Sequence, residues 1–459
     1  MNTLPPVFLD QMRQMLGDEY PAFLRAMEEP PALALRLNPL RSGAENAARP
    51  FIEGNIPWER AGRYLKMDAR PGAAIAHWAG AYYIQEASAM TAAAALAVRP
   101  SERVLDLCAA PGGKATQLAA ALVGRGLLVA NEPEPARAKV LAQNLERMGV
   151  SNAIVVSALP AQLARRWPER FDAILVDAPC SGEGMFRRDP AAREEWNPAS
   201  PKGCARRQAE ILDQAARMLR PGGRLVYSTC TFNRMENEET IAAFLERHPD
   251  FAPEDFELDG IGRSSGGMLR VFPHRLRGDG HFAARLRRAE GDHDADDNGD
   301  GSTRPKKGGV QGKAAPGDVI PGLIRALEAS ACRVDDLLEG ATPVLQGDRL
   351  YAVPNGVPPT EGLRVLSPGL CLLRAGRSHV EPEHALAMAL NPSAACRTAD
   401  LDDARAAAWL AGEALPLADG ERGWTLATWR GMPLGWGKLS DGVLKNHLPK
   451  GLRRTITNF

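Results

Sequence analysis

The stretch Arg103-Val-Leu-Asp-Leu-Cys-Ala-Ala-Pro-Gly-Gly-Lys114 decides the fold of this chain. Its first half, residues 103–108, is an apolar run of strand type, and an amphipathic helical pattern over 114–123 follows the small residues of the turn. A strand that leads through such a turn into a helix is typical of parallel sheets, which bind nucleotides at the carboxyl ends of their strands. The stretch therefore predicts an α/β protein with a ligand at this turn.

The same alternation of strands and helices continues along the next part of the chain. Strand patterns lie at 127–132, 153–157, 171–179 and 224–230, and helical patterns lie at 134–148 and 204–219. The last helix is expected to stop at Pro221-Gly222-Gly223, because proline and glycine end helices. This alternation predicts a Rossmann-like core, in which a mostly parallel sheet has helices on both of its faces.

The turn itself predicts an adenosine-containing cofactor. It is made of residues that let a ligand approach the backbone, namely Cys108, Ala109, Ala110, Pro111, Gly112 and Gly113, followed by Lys114. It has neither a GxGxxG pattern nor the Ser or Thr that follows the Lys of a phosphate-binding loop, and a cationic sulfonium ligand needs no phosphate cradle. Glu132, about 20 residues beyond Gly112 at the end of the next strand, is placed to accept both ribose hydroxyls.

Two cysteines follow the ends of later strands. Cys180 stands in Asp177-Ala-Pro-Cys-Ser-Gly182, and Cys230 stands in Ser228-Thr-Cys230. Because the carboxyl ends of parallel strands share one edge, both thiols are expected to face the cofactor cleft, with room for a pyrimidine ring between them. A thiolate that adds to carbon 6 of cytosine makes carbon 5 nucleophilic enough to take a methyl group. The pair therefore predicts cytosine methylation through a covalent adduct.

The attacking thiol needs a positive charge nearby, because a free cysteine titrates near ~8.5. Lys114 and the sulfonium of the cofactor are the candidates for that charge. Cys108 is interpreted as a wall of the cofactor turn and not as a nucleophile. The cysteines include no CxxC pair, which argues against a zinc site and favours reduced thiols in a cytoplasm.

The motifs occur together in an order that resembles the RNA cytosine-5 methyltransferases, the family of bacterial ribosomal and eukaryotic nucleolar enzymes. They are Tyr83-Ile-Gln-Glu-Ala-Ser88, CAAPGGK at 108–114, Glu132 with Arg137, DAPCSG at 177–182, and STCT at 228–231 followed by Asn233 and Glu236. The resemblance implies a class I methyltransferase core and S-adenosyl-L-methionine as cofactor. DNA cytosine-5 methyltransferases differ, because their Pro-Cys cysteine is the nucleophile and they lack a Thr-Cys partner.

The resemblance also implies a role for each site residue. Cys230 attacks carbon 6, and Cys180 assists the release of the product. Asp177 contacts the target cytosine and the cofactor, and Lys114 faces the same pocket. Arg137 belongs to the cofactor site, beside the Glu132 carboxylate that is expected to bind the ribose. One departure concerns the adenine: this chain has Val156-Ser157-Ala158-Leu159 where the family often has an acidic or amide residue.

The C-terminal region resembles the tail of the RsmF-type small-subunit rRNA methyltransferases. The similar segments are 363–370, Glu381-Pro-Glu-His-Ala-Leu-Ala387, Gly435-Trp-Gly-Lys438 and the basic run LKNHLPKGLRR at 444–454. The resemblance implies β-rich, PUA-like RNA-binding modules and a target in the decoding region of 16S rRNA. The basic run suits phosphate contact, whereas Trp436 either stacks on a base or fills a small core.

The chain is expected to have four parts. They are an N-terminal RNA-binding extension at 1–95, the methyltransferase domain at 96–289, a flexible acidic and then Gly/Lys-rich linker at 290–317, and a PUA-like RNA-binding region at 318–459. No apolar stretch approaches the ~20 residues of a membrane span, and no secretory signal is apparent. The expected location is therefore the cytoplasm. The resemblance implies that the protein acts on 16S rRNA in the small ribosomal subunit, and a monomer is expected.

The formal net charge of zero over 459 residues is unusual for a protein that binds RNA. Basic residues are nevertheless clustered, since residues 263–288 hold seven arginines and a single acid, Asp279. Clusters of this kind are what phosphate contact requires. Two alternatives stay open: a tRNA cytosine-5 methyltransferase, and a non-catalytic RNA-binding factor of ribosome assembly. Only an enzyme needs both thiols.

Overall fold

The computed structural model describes residues 4–291 and 318–456, apart from Ser378, Ala418 and Asp419. The predicted linker at 290–317 lies outside these residues except for its first two positions. In the described ranges, every helix is too short or too polar to span a bilayer.

The N-terminal part combines four helices with a small antiparallel sheet. Its elements are α1 (Pro6–Leu16), α2 (Tyr20–Glu28), β1 (Ala34–Leu37), α3 (Ala44–Ala48), β2 (Ile52–Asn55), β3 (Gly62–Leu65), α4 (Ile75–Trp78) and β4 (Tyr82–Ile84). The sheet has the order β2-β3-β1-β4. Two short helices followed by an extended segment agree with the patterns of this region.

The central part is the expected Rossmann-like core. Its elements are α5 (Thr91–Leu96), β5 (Arg103–Asp106), α6 (Gly113–Ala121), β6 (Leu127–Asn131), α7 (Pro135–Arg147), β7 (Ala153–Ser157), α8 (Pro160–Arg166), β8 (Phe171–Asp177), α9 (Pro190–Glu195), α10 (Ser200–Met218), β9 (Leu219–Thr229), α11 (Glu238–Arg247), β10 (Phe251–Pro253), β11 (Glu257–Leu258), β12 (Gly262–Arg263), β13 (Met268–Val271) and β14 (His281–Arg288). The strands from β5 to β9 pair in parallel in the order β9-β8-β5-β6-β7, and β14 adds antiparallel to β9.

Alternate residues of the central strands point to opposite faces of the sheet, and each face is covered by helices. Val104 of β5 packs in the cluster that contains residues of α5, α6 and α7. Its neighbour Leu105 packs in the cluster that contains residues of α8, α10 and α11. This double cover leaves the carboxyl edge of the strands as the place where loops form a cleft.

One predicted boundary is wrong. The helix before the last parallel strand ends at Met218, close to the predicted end, but β9 begins at Leu219 and not at 224, so that Pro221-Gly222-Gly223 lies inside the strand. The physical reason is strand pairing, since Leu219 is already extended and pairs with Phe171 of β8. The glycines are accommodated within the strand, with Gly222 at φ +70°.

The C-terminal part consists of two β-rich modules. Their elements are α12 (Val319–Ser330), α13 (Asp335–Leu338), β15 (Ala341–Gln346), β16 (Arg349–Pro354), β17 (Arg364–Ser367), β18 (Leu370–Ala375), β19 (Val380–Pro382), α14 (His384–Ala389), β20 (Thr398–Asp400), α15 (Asp403–Ala411), β21 (Leu415–Pro416), β22 (Gly423–Trp429), β23 (Met432–Ser440) and β24 (Val443–Asn446). The sheets have the orders β15-β16-β18-β19 and β20-β22-β23-β24-β21.

The modules are packed onto the rest of the protein. Strand β17 pairs antiparallel with β7, so a segment from beyond the linker extends the central sheet. Leu35 of the N-terminal sheet and Leu434 of β23 belong to one hydrophobic cluster. Trp436 is 2% exposed and packs in the core of the C-terminal modules, so of its two expected roles it has the structural one.

Candidate active site

The predicted site residues all lie at the carboxyl edge of the central sheet. They are Cys108, Ala109, Ala110, Pro111, Gly112, Gly113 and Lys114 after β5, Glu132 and Arg137 after β6, Asp177 and Cys180 at the end of β8, and Cys230 after β9. The parallel pairing of β6, β5, β8 and β9 brings them together, as the strand order requires. Chain segments far apart in sequence therefore share one cleft.

The turn after β5 has the shape of a cofactor turn. Gly112 has a φ of +117°, a conformation that residues with side chains rarely adopt. A side chain at Gly113 would begin 3.3 Å from the ring of Tyr83, so the turn is closely packed on that side. Ala109 donates its backbone N–H to Asn131 at 2.8 Å, which ties the turn to the neighbouring strand. The backbone of the turn is thus held in place by its neighbours, and its small residues put no bulky side chain on it.

Glu132 is buried at the end of β6, with 4% of its surface exposed. One carboxylate oxygen accepts the backbone N–H of Glu134 at 3.0 Å, and the other lies 3.3 Å from Arg137. Arg137 also donates to the carbonyl of Ala110 at 3.2 Å, so it joins the carboxylate to the cofactor turn. A preorganised carboxylate at this place fits the ribose hydroxyls of S-adenosylmethionine.

The loop after β7 has the departure noted in the sequence. Leu159 is 60% exposed, and its side chain offers only apolar surface. Ser157 donates its hydroxyl to the carbonyl of Pro133, and Ala158 donates its backbone N–H to the side chain of Asn131. The side chains at 156–159 therefore provide no carboxylate or amide for the adenine, and this wall is apolar.

Asp177 and Lys114 form an ion pair in the middle of the cleft. The ammonium nitrogen lies 2.8 Å from one carboxylate oxygen, and the hydroxyl of Ser228 donates to the other at 2.7 Å. Although burial acts in the opposite direction, the Lys114 charge lowers the pKa of Asp177. Burial acts to lower the pKa of Lys114, whereas Asp177, Cys230 and Asp106 act to raise it. The net result is a raised pKa for Lys114. The cleft thus holds an ionised pair that interacts with Cys230.

Asp106 is a buried carboxyl group at the end of β5 that the sequence reading did not single out. Neither of its side-chain oxygens has a hydrogen-bond partner among the described residues, and it is 0% exposed. Burial and the nearby Asp177 raise the pKa of Asp106 to about 8. It therefore holds a proton at neutral pH, beneath the turn that carries the cofactor. Burial and Asp106 also raise the pKa of Cys108, which suits a wall residue and not a nucleophile.

The sulfur atoms of Cys180 and Cys230 lie 3.2 Å apart, and both residues are partly exposed. The expectation that a pyrimidine ring fits between them is wrong, because a ring in van der Waals contact with both would need a gap of roughly 7 Å. A base must therefore approach the pair from one side. The hydrogen bond with Cys230, followed by burial, raises the pKa of Cys180 well above its usual value, so Cys180 keeps its proton.

The loops that carry the two cysteines brace each other with buried carboxyl groups. Glu236, on the Cys230 loop, accepts the backbone N–H of Ser181 at 3.0 Å. Glu183, on the opposite loop, accepts the backbone N–H of Phe232 at 3.2 Å. Burial raises the pKa of both carboxyl groups, that of Glu183 to about 7. This reciprocal contact joins the two cysteine loops on both sides of the thiol pair.

The N-terminal helices pack on the same two loops. Phe8 of α1 lies 5.0 Å from the ring of Phe186, which follows the first cysteine, and 6.4 Å from that of Phe232, which follows the second. Phe23 of α2 lies 5.5 Å from Phe232. The extension therefore packs against both cysteine loops, a role that the sequence did not indicate because the aromatic residues are scattered along the chain.

The motif at Tyr83–Ser88 holds the beginning of β14 against the cleft. A carboxylate oxygen of Glu86 accepts the backbone N–H of Asp279 at 2.9 Å. The hydroxyl of Ser88 accepts the backbone N–H of Gly280 at 3.2 Å. The motif thus anchors the strand that adds to β9, next to the loop that carries Cys230.

The arginine-rich run at 263–288 is not a free basic surface, contrary to the expectation from its composition. Each of its arginines has a carboxylate partner: Arg263 with Asp255, Arg270 with Glu238, Arg275 with Glu19, Arg277 with Glu53, Arg285 and Arg287 with Glu254, and Arg288 with Asp250 and Glu169. All of the partners except Asp255 are distant in sequence, so only the folded chain shows this neutralisation.

Comparison with known families and relatives agrees with this architecture. Residues 93–287 match a family described as 16S rRNA methyltransferase RsmB/F, and 4–87 match the N-terminal domain of 16S rRNA methyltransferase RsmF. Residues 330–390 match the first C-terminal domain of RsmF rRNA methyltransferase, and 396–454 match the methyltransferase RsmF PUA domain.

Relatives named ribosomal RNA small subunit methyltransferase F are similar over the whole chain. The protein of Erwinia tasmaniensis is 33% identical, and the alignment covers 98% of this chain and 97% of that protein. That of Escherichia coli O81 is 34% identical, over 98% and 96%.

Two solved structures share the core of the fold. A methyltransferase homolog protein from Pyrococcus horikoshii is 29% identical, with a TM-score of 0.54 over 62% of this chain and 96% of that one. NSun6 from the same organism, solved with SFG, has a TM-score of 0.54 over 62% and 99% of the two chains, and its 21% identity supports the fold alone.

Proposed function

Since the chain belongs to the 16S rRNA methyltransferase family RsmB/F, we propose that it methylates carbon 5 of a cytosine in 16S rRNA. The observation that carries this proposal is the contact of two thiols, 3.2 Å apart, at the same sheet edge as the cofactor turn. Methyl transfer to carbon 5 of a pyrimidine needs a nucleophile for carbon 6 and a group that assists its release. The two sulfurs supply both.

S-adenosylmethionine, when bound, supplies the sulfonium methyl group. Glu132 is proposed to accept the ribose hydroxyls, and the backbone of Ala109–Gly113 is proposed to pass along the ligand. Leu159 is proposed to cover the adenine by apolar contact in place of a polar side chain. Arg137, joined to both the carboxylate and the turn, holds these two parts of the site together.

Cys230 is the proposed nucleophile. Its thiolate adds to carbon 6, which breaks the ring double bond and makes carbon 5 electron-rich. Carbon 5 then takes the methyl group. The two sulfurs lie 3.2 Å apart, so the S–H of Cys180 is proposed to donate to the attacking sulfur, and the nearby Lys114 ammonium is proposed to stabilise its negative charge.

Cys180 is proposed to complete the reaction as a proton carrier. As the bond between Cys230 and carbon 6 breaks, the S–H of Cys180 passes its proton to the departing sulfur. The Cys180 thiolate that remains takes the proton of carbon 5, the ring double bond forms again, and both cysteines end as thiols. Its raised pKa suits this role, because Cys180 holds a proton until another sulfur needs it.

Asp177 and Lys114 are proposed to recognise and polarise the base. The ionised carboxylate of Asp177 accepts a hydrogen bond from the exocyclic amine of cytosine, which uracil lacks. The Lys114 ammonium stabilises the negative charge that develops on the ring after the thiolate adds. Because the two groups pair at 2.8 Å, each keeps the other charged.

The proposed substrate is 16S rRNA in the decoding region of the small subunit, with the protein acting as a cytoplasmic monomer. The test is bisulfite mapping of 16S rRNA and of tRNA from cells with and without the gene. We expect one or more cytosines of 16S rRNA to lose their protection from bisulfite when the gene is absent. Loss of protection in tRNA alone would instead favour a tRNA methyltransferase, and unchanged maps of both would contradict the proposal.

A further inference from the structure

His281 opens strand β14 beside the proposed active site, and no motif pointed to it. Its side chain is 3% exposed, and its Nε2 atom lies 3.8 Å from a carboxylate oxygen of Asp177. Nε2 has no hydrogen-bond partner among the residues that the structure describes. Leaving a buried polar group unpaired costs about 1–3 kcal/mol, so this atom requires an explanation.

The backbone around His281 is held firmly on both sides. The next residue, Phe282, pairs with Thr229, the residue before the nucleophile. The preceding residue, Gly280, donates its backbone N–H to Ser88 and has a φ of +121°. A side chain at Gly280 would begin 2.4 Å from the ring of Phe232, so only glycine lets this strand approach the nucleophile loop so closely.

His281 lies on the same face of the sheet as the polar groups of the site. Asp177 pairs with Ser228, and Ser228 pairs with Ala283 of β14. Because alternate residues of a strand share a face, His281 is on the face of Ala283 and Ser228. Ser228 already donates to the carboxylate oxygen that His281 faces, and a carboxylate oxygen has room for two donors.

The charges around the imidazole keep it neutral. Burial and the Lys114 charge lower the pKa of His281 to about 3, although Asp177 acts in the opposite direction. The groups that face Asp177 are Lys114 from α6, Asp106 from β5, Ser228 from β9 and His281 from β14. A neutral imidazole carries one proton, and two acceptors compete for it: the backbone of Gly280 beside Nδ1 and the Asp177 carboxylate beside Nε2. The ionised carboxylate is the stronger acceptor, so it favours the tautomer with the proton on Nε2 once the two groups come within hydrogen-bond distance.

We propose that His281 is a positioning residue that donates a hydrogen bond from Nε2 to Asp177 when cytosine occupies the cleft. The two atoms need to approach each other by less than about 1 Å to reach hydrogen-bond distance. Asp177 then has Lys114, Ser228 and His281 as donors, which hold it as an ionised acceptor for the exocyclic amine. This inference rests on the proposed cytosine chemistry and adds a residue to it.

The test compares His281→Leu with His281→Gln in the full-length protein. The leucine removes the donor, whereas the glutamine amide restores one at a similar reach. We expect His281→Leu to lower kcat by about tenfold, since a hydrogen bond to a charged group is lost. Because a carboxylate that loses a donor has a higher pKa, the acid limb of the kcat–pH profile should move to higher pH. His281→Gln should restore both the rate and the limb.

Controls separate this role from a structural one and from failure of the proposed function. S-adenosylmethionine affinity and the melting temperature report folding of the variants, and His248→Leu, at the end of α11, should match wild type in rate and pH profile.

Wild-type protein that transfers no methyl group to 16S rRNA would overturn the proposed function. An active wild type whose His281→Leu variant keeps its pH profile and rate would overturn the role of His281. A slower variant with an unmoved acid limb would show only a packing role and would also overturn it.

Discussion

The sulfur atoms of Cys180 and Cys230 lie 3.2 Å apart, although 50 residues separate the two cysteines in the chain. The contact joins loops at the ends of β8 and β9 that also exchange hydrogen bonds through Glu183 and Glu236. Since the pKa of Cys180 is raised, the proposed mechanism assigns the attack to Cys230 and the proton needed for release to Cys180.

The first prediction concerns release of the product. Cys180→Ala should lose turnover and accumulate a covalent complex with a 16S rRNA fragment in the presence of S-adenosylmethionine, because the Cys230 adduct forms but breaks slowly. Denaturing gel electrophoresis and mass spectrometry measure the complex. Cys230→Ala is the matched control and should give neither complex nor methylated RNA. A complex that persists in Cys230→Ala would show that a different residue attacks.

The second prediction concerns oxidation of the thiol pair. Incubation with oxidised glutathione should join Cys180 and Cys230 in a disulfide, with two molecules of reduced glutathione released, because the two sulfurs are already in contact. Methyl transfer should stop and return after dithiothreitol is added. Non-reducing peptide mapping identifies the bond, and Cys204→Ala should still form it. A stable mixed disulfide between glutathione and Cys230 would contradict the prediction.

The third prediction concerns the N-terminal helices. Phe8→Ala removes a fully buried ring that touches both cysteine loops, and the free energy of unfolding should fall by about 3–5 kcal/mol. Methyl transfer should fall by more than S-adenosylmethionine affinity, because the cofactor turn lies on other strands. Val7→Ala, on the exposed side of α1, is the matched control and should change neither quantity. Equal losses of binding and transfer would argue against specific support of the loops.

The fourth prediction concerns Asp106 and pH. Its pKa is about 8 in the folded protein against 3.8 as the ordinary value, so the folded state binds the extra proton between these limits. Stability should therefore decrease as pH rises through this window, by about 1.4 kcal/mol per pH unit. The Asp106→Asn variant has no titrating group at this position, so its stability should not decrease in this way. Its melting temperature should exceed that of wild type by an amount that grows from pH 5 to pH 8. Asp259→Asn, at an exposed aspartate, should follow wild type throughout.

The fifth prediction concerns contact with RNA phosphates. Lys450 is exposed and forms no ion pair with the described residues, whereas the exposed Arg263 is paired with Asp255. Lys450→Ala should weaken binding of a 16S rRNA fragment and lower the salt dependence of log Kd by about 1, as expected for one phosphate contact. Arg263→Ala should have a smaller effect on both. Filter binding at several salt concentrations measures the difference, and the reverse order would locate the contact in the arginine-rich run.

The core of the fold could be predicted from local patterns. The strand and helix patterns around Cys108–Lys114 give the sheet because short apolar runs and small-residue turns are properties of neighbouring residues. The family, the methyltransferase core, the RNA methyltransferase activity and the S-adenosylmethionine cofactor are confirmed by the comparisons. The roles of Cys230, Cys180, Asp177 and Lys114 stay predictions, although the fold brings all four together.

Features that depend on distant partners could not be predicted in this way. The sequence does not indicate that the carboxylates paired with the run at 263–288 come from as far away as Glu19 and Glu53. It also does not indicate that β17 extends the central sheet, or that Phe8 reaches the loop of Phe186.

The sequence by itself determines the succession of strands along the chain, the small-residue turn and the two cysteines after strand ends. Each of these is a pattern of adjacent residues. The contact between the two sulfurs, the protonated Asp106 and the unpaired Nε2 of His281 were decided only by the tertiary structure. Distances and burial arise when segments from different strands are packed together, and these two quantities control proton affinity and reactivity.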